Sequence, residues 1–222
     1  MSRILLSLSL ASVIYGCNAA GKEKYPLLEA DYALADTMHY DHAIIDALRA
    51  TVSGKIDRLK QTLPEGYNTR KLEDALQFNY EVTADNGNDY ETLRTILKEH
   101  GYLLFKSEES FGSGSDKYAV LKTSDQFDIV QFRATNGQNY DISNDSVLKK
   151  LHTWYKQQPF EITGAGPDWL EIRLDKLNTT SALAFAKEVH DFCPDPAEEG
   201  TETVENLAAE MLETKRLLLW WD

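Results

Sequence analysis

The stretch FDIVQFRAT, residues 127–135, decides the fold. Its apolar residues Phe127, Ile129, Val130 and Phe132 are aromatic or β-branched, and they follow two segments that alternate like paired strands, so the stretch reads as a third strand. From there to the C-terminus the order becomes strand, helix, strand, strand, helix, helix, strand. That is the split βαβ, ferredoxin-like arrangement with one additional helix.

Downstream, NDSVLKKLHTWYKQQ (144–158) places Val147, Leu148, Leu151, Trp154 and Tyr155 on one helical face and ends against Pro159. PFEITGAGPDWLEIRLDKL (159–177) is a hairpin turning at 164–167. Helices follow at 180–193 and 202–214, the second with Val204, Leu207, Ala208, Met211 and Leu212 in register. The tail KRLLLWWD (215–222) closes as a strand. Five consecutive large apolar residues, Leu217 to Trp221, imply burial on both faces. A last strand at a sheet edge needs such cover, which is expected from the strands near 102–106 and 117–122 or from the N-terminal helices. Trp220 and Trp221 project to opposite faces, so only one of them can join Trp154 in the core.

Upstream, DYETLRTILKEHG (89–101) is a short helix with Leu93, Ile96 and Leu97 inward and Gly101 at its C-cap. YLLFKS (102–107) and KYAVLKT (117–123) are strands. In HYDHAIIDALRATVSGKIDRLKQTLPEG (39–66), Ile45, Leu48, Val52, Ile56, Leu59 and Leu63 recur at spacings of three and four, a narrow stripe on one helix stopped by Pro64 and Gly66. Residues 64–89 are polar and turn-rich and mark a boundary. The expected class is α+β: a ferredoxin-like sheet extended by N-terminal strands, with a helical segment at 38–88 and the main domain at 89–222.

The N-terminus reads as an export signal. In MSRILLSLSLASVIYGCNAA, Arg3 precedes an apolar run too short to span a membrane, then Gly16 and Cys17. A small residue directly before cysteine resembles a bacterial lipoprotein cleavage box, which makes 1–16 the signal peptide, Cys17 the acylated residue and 17–37 a tether. An ordinary cut near Ala19 or Ala20 is the alternative. The expected place is therefore the bacterial cell envelope, lipid-anchored, periplasmic or surface-facing. With Cys17 acylated, Cys193 is the one thiol left, so no intramolecular disulfide forms.

Among 222 residues, 36 acids against 23 bases give a formal net charge of −13, which works against nucleic acid and favours a basic protein partner. Taken together, the blocks GYLLFKSEE, DQFDIVQFRATNGQNYDI, ITGAGPDWLEI, FCPDPAEEGTETVENLA and LLLWWD resemble a bacterial family, the domain of unknown function 4253 (DUF4253), over about residues 89–222. The resemblance implies no established activity.

Few residues suggest chemistry. His190, Asp191 and Cys193 cluster at a helix end and are the set that a thiol hydrolase or transferase would use, although the acidic loop after Cys193 disfavours a thiolate. His42 and Asp46 share a helical turn near His39 and Asp41, but two ligands do not make a metal site, and neither a metal nor a cofactor is expected. GAGP leads into a strand rather than a helix, unlike a phosphate loop. The remaining candidates are aromatic plates beside carboxylates, Trp169, Asp168, Trp221, Asp222 and Asp195, which suit a cationic or sugar-like ligand or a basic protein patch. The expected function is noncatalytic, immunity-like binding of a ligand or basic partner.

Overall fold

The computed structural model describes residues 29–63, 70–110, 112, 114–193 and 203–221. Cys17, Asp195, Asp222 and the signal segment lie outside them. Within the described residues the chain is α+β, seven α-helices on a seven-stranded mixed sheet. The strands are β1 (Ile56–Leu59), β2 (Ala75–Asn79), β3 (Tyr102–Glu108), β4 (Lys117–Lys122), β5 (Glu161–Ala165), β6 (Trp169–Arg173) and β7 (Arg216–Trp220). They lie in the order β1-β2-β4-β3-β5-β6-β7, all neighbours antiparallel except β3 and β5.

Helices divide by face. On one side are α1 (Glu29–Thr37), α2 (His42–Arg49) and α3 (Gly87–Glu99), on the other α4 (Phe127–Arg133), α5 (Asn144–Gln157), α6 (Thr179–Phe192) and α7 (Val204–Thr214). Strand alternation sorts the side chains accordingly. Leu76, Phe78, Tyr102, Leu104, Tyr118 and Val120 join Ile44, Ile45, Leu48, Leu93 and Leu97 in one core. Phe105, Ala119, Leu121, Ile162, Leu170, Ile172, Leu217 and Leu219 join the residues of α4–α7 in the other.

Several expectations need correction. Residues 127–133 are helix, not strand. Asp125 accepts a hydrogen bond from the Phe127 amide (3.0 Å) at the helix start, Ile129, Val130 and Phe132 turn to the core, and Ala134 in the left-handed region (φ 53°) ends the helix. A short run of apolar residues spaced two, one and two apart fits either period, and the Asp125 turn with the core decides it. The ferredoxin-like order loses its opening strand as a result, and β5 instead lies directly against β3 in parallel. The long helix from 39 to 66 stops at Arg49, because the Arg49 guanidinium turns inward, pairs with Asp31 at 2.6 Å and donates to the carbonyls of Val52 and Gly54. The second half of the stripe, Ile56 and Leu59, belongs to β1. The polar stretch 64–89 contains β2, and residues 29–37, read as the end of the tether, form α1 with Ala35 in the core.

β7 is the edge strand, entered from α7 through Lys215 at φ 56°. Leu217, Leu219 and Trp221 are buried, and Leu218 and Trp220 are half-buried. The cover comes from α6 and α7, with Phe192 edge-on to Trp221 at 5.9 Å, and not from the strands at 102–106 and 117–122 or the N-terminal helices.

Candidate functional site

The face covered by α1–α3 over β1 to β3 continues onto β5, β6 and β7, where its side chains change character. There β3 contributes Lys106, β5 Thr163, β6 Glu171 and β7 Arg216. Together with α3 and the chain after β3 they border a groove of about 790 Å³.

Lys106 is the centre of the floor. Its side chain, 10% exposed, places Nζ at 2.6 Å from Glu109, 3.2 Å from Asp116 and 3.4 Å from Glu171. Glu171, equally enclosed, also accepts from Thr163 Oγ1 at 2.6 Å and from Arg216 at 2.5 Å. Asp116 is oriented by the Ser110 amide at 2.9 Å. A charge this enclosed persists only if each group is paired. Burial pushes the Lys106 ammonium down, but Glu171 and Glu109 more than offset it, so its pKa is raised. Burial pushes Glu171 up and is outweighed by Lys106 and Arg216, so its carboxyl titrates below the ordinary range. Asp116 is lowered in the same way: against burial stand the Ser110 hydrogen bonds and Lys106.

Tyrosines line one wall. Tyr118 meets Tyr90 edge to face at 5.4 Å and Tyr80 at 6.0 Å. Burial, countered by Lys106 and reinforced by Glu171, pushes the Tyr118 hydroxyl up to about 12, and burial raises Tyr90 as well. Beyond this wall Arg94 pairs with Glu161 at 2.5 Å, and Arg173 with Glu161 at 2.6 Å and Glu91 at 3.1 Å, separating the groove from a second hollow of about 700 Å³ around Phe127, Tyr155 and Phe160.

The tryptophan-centred residues fall elsewhere. Trp169 lies flat on the hairpin, and a Cβ added at Gly166 would stand 2.1 Å from its Nε1 and one at Gly164 2.8 Å from its ring. The GAGP sequence is thus the seat of an indole. Trp221 uses Gly137 in the same way, at 2.7 Å, and is enclosed among the helices. Asp168 is exposed at the hairpin turn, its carbonyl accepting from the Trp221 amide at 2.9 Å, and its charge partly offsets the burial that lowers the pKa of Arg133. The Cys193 thiol is buried and donates to the Trp220 carbonyl at 3.1 Å, and Asp191 pairs with Lys187 at 3.0 Å. His42 bonds Asp36 at 2.7 Å and Asp46 bonds Tyr32 at 2.5 Å.

Sequence reasoning singled out Glu171 as a carboxylate near the tryptophans but missed Lys106, Glu109, Asp116 and Arg216. The available signal was a charge at an inward-alternating position of an otherwise apolar strand, as in YLLFK and WLEIR.

No curated protein and no solved structure matches the chain. One family model does, over residues 117–222, so Tyr118, Thr163, Glu171 and Arg216 lie inside the match and Lys106 and Glu109 just before it. From β4 to its last residue the chain therefore matches the domain of unknown function DUF4253, the family its sequence blocks resemble.

Proposed function

We propose that the protein is a noncatalytic binding protein of the bacterial cell envelope, held by lipid on Cys17, whose groove receives a basic group of a protein partner. The observation that carries this reading is the charge balance on the groove floor. Two cations, Lys106 and Arg216, face three carboxylates, Glu109, Asp116 and Glu171, in a protein whose formal net charge is already −13. An incoming cation is drawn to such a surface over a long range and settles beside groups that already hold their geometry. The burial of the Cys193 thiol weighs against the alternative, a thiol-based reaction.

Two measurements test the two halves. Cys17→Ser should move the protein from the membrane to the soluble fraction, and retention after a salt wash, or a mature N-terminus at Ala19 or Ala20, would overturn the anchor. A partner captured from envelope extract by the full chain should be basic, and Glu109→Gln with Asp116→Asn should lose it. Capture that survives this double substitution would place binding outside the groove.

A further inference from the structure

We propose that the group recognised in the groove is a primary ammonium on an aliphatic chain, whether the lysine side chain of a protein or a free polyamine, held by the Tyr118 and Tyr90 hydroxyls and the outer oxygen of Glu109. This rests on the groove being the binding surface.

The hydroxyls are the first observation. Tyr118 is 6% exposed and Tyr90 half-buried, both border the groove, and among the described residues neither hydroxyl makes a hydrogen bond. Both hydroxyls border the groove and spend no hydrogen bond on the described residues, so each oxygen keeps its lone pairs for a ligand. The second observation is the distribution of spare donors and acceptors. Lys106 spends its three N–H donors on three carboxylates, so the ammonium at the centre of the floor has none left for an anion, while Arg216 gives Nη2 to Glu171. Glu109, by contrast, is bonded through Oε2 alone and keeps Oε1 for a donor. Two phenol oxygens and one carboxylate oxygen are three acceptors, the complement of the three donors of an ammonium. The third observation is the wall itself, since the rings of Tyr80, Tyr90 and Tyr118 present an aromatic surface against which a cation and its methylene stem pack. A groove of about 790 Å³ accepts a chain rather than a single ion.

Titration calorimetry on the full chain tests this with three probes: spermidine, the acetylated and amidated tripeptide Gly-Lys-Gly, and inorganic phosphate. Wild type should bind at least one amine and not phosphate. Tyr118→Phe should weaken amine binding about fivefold to tenfold, the loss of one hydrogen bond, while leaving the melting temperature unchanged or raised, because the hydroxyl it removes has no partner in the free protein. Glu109→Gln should weaken it about tenfold or more, as expected for a charge-assisted contact. Preference for the tripeptide assigns the ammonium to a protein, and preference for spermidine to a free polyamine. Silence with both amines, binding of phosphate instead, or wild-type affinity in Tyr118→Phe overturns the proposal. A basic partner that is captured through Glu109 and Asp116 but not displaced by either amine would overturn it while leaving the groove as the binding surface.

Discussion

One face of the sheet is built in two ways. Over β1 to β3 it is apolar and lies under α1–α3, with Leu76, Phe78, Leu104 and Val120 fully enclosed. Over β5 to β7 the same face carries Thr163, Glu171 and Arg216 beneath open groove. The transition happens within β3, between Leu104 and Lys106, two residues apart on one strand. A sheet face with no helix to pack against must either leave apolar surface in water or pair its polar groups, and this chain does the second at Lys106, Glu171 and Arg216 while Leu218 and Trp220 stay half-buried on the same face. The opposite face of β5–β7, under α5–α7, is wholly apolar and holds the domain together.

The largest break in that comparison is on the apolar side. Deleting 217–222 removes Leu217, Leu219 and Trp221 from the core and half-buried Leu218 and Trp220 from the other face. At about 1.5–3 kcal/mol per buried side chain, the loss rivals the roughly 5–15 kcal/mol that stabilises a domain. The truncated chain should show no cooperative melt. A truncation that melts like the parent would mean that the edge strand is dispensable.

The groove face should break differently. Lys106→Ala leaves Glu109, Asp116 and Glu171 beside one another without their shared ammonium, and stranding buried charge costs about 3–5 kcal/mol. Denaturant unfolding should show that loss, and Lys106→Met combined with Glu171→Gln should recover a large part of it. The same cluster sets an acid limit. Glu171 and Asp116 have depressed pKa values in the fold, so the unfolded chain takes up protons first as pH falls. Their contribution is fully present above the ordinary carboxyl values of 4.5 and 3.8 and is lost as pH drops through the lower, folded values. Stability measured from pH 6 to pH 3 should fall steeply, and Glu171→Gln should flatten that slope. An unchanged slope would show that the cluster is not what acid attacks.

How much of this was legible in the sequence follows the same division. β3–β7, α3 and α5–α7 were readable because apolar residues recur at a clean period and their ends carry caps, such as Ser143 accepting from the Ser146 amide and Asn178 from those of Thr180 and Ser181. Residues 127–133 were misread because Ile129 and Val130 favour strands locally while the turn that Asp125 makes with the Phe127 amide and the core favour a helix. β1 was absorbed into a false helical stripe, since nothing in the spacing reveals that Arg49 folds back on the carbonyls of Val52 and Gly54. The site was missed for a related reason: Lys106, Glu171 and Arg216 come from three strands, and only the sheet register brings them together. Of the tryptophans, which stood out by composition, Trp169 and Trp221 pack on glycine seats and Trp154 is buried in the core.

Those seats give a smaller effect. Gly166→Ala places a methyl 2.1 Å from the Trp169 indole nitrogen, so ring or hairpin must shift, at about 1–3 kcal/mol for an overpacked site. Thermal melts should show a clear drop, accompanied by a change in tryptophan fluorescence. A substitution without either effect would mean the indole leaves its seat freely.

The smallest effect tests whether pairing or mere charge matters on this protein. Lys187 and Asp191 form an i, i+4 pair on α6 at 3.0 Å, with side chains 68% and 61% exposed. Water screens such a pair, and the acid stands N-terminal to nothing that needs it, in the less favourable Lys-before-Asp orientation, so Asp191→Asn should change stability by no more than a few tenths of a kcal/mol. The contrast with Lys106 is one of environment and of number: Lys187 meets one carboxylate on a helix in solvent, and Lys106 meets three on the floor of a groove. A double-mutant cycle on each pair, in low and in 1 M salt, measures the difference. The α6 coupling should vanish in high salt, while the Lys106–Glu171 coupling should persist, because buried pairs lie beyond the reach of counterions. Equal salt sensitivity of the two couplings would show that the groove floor is as wet as the helix surface.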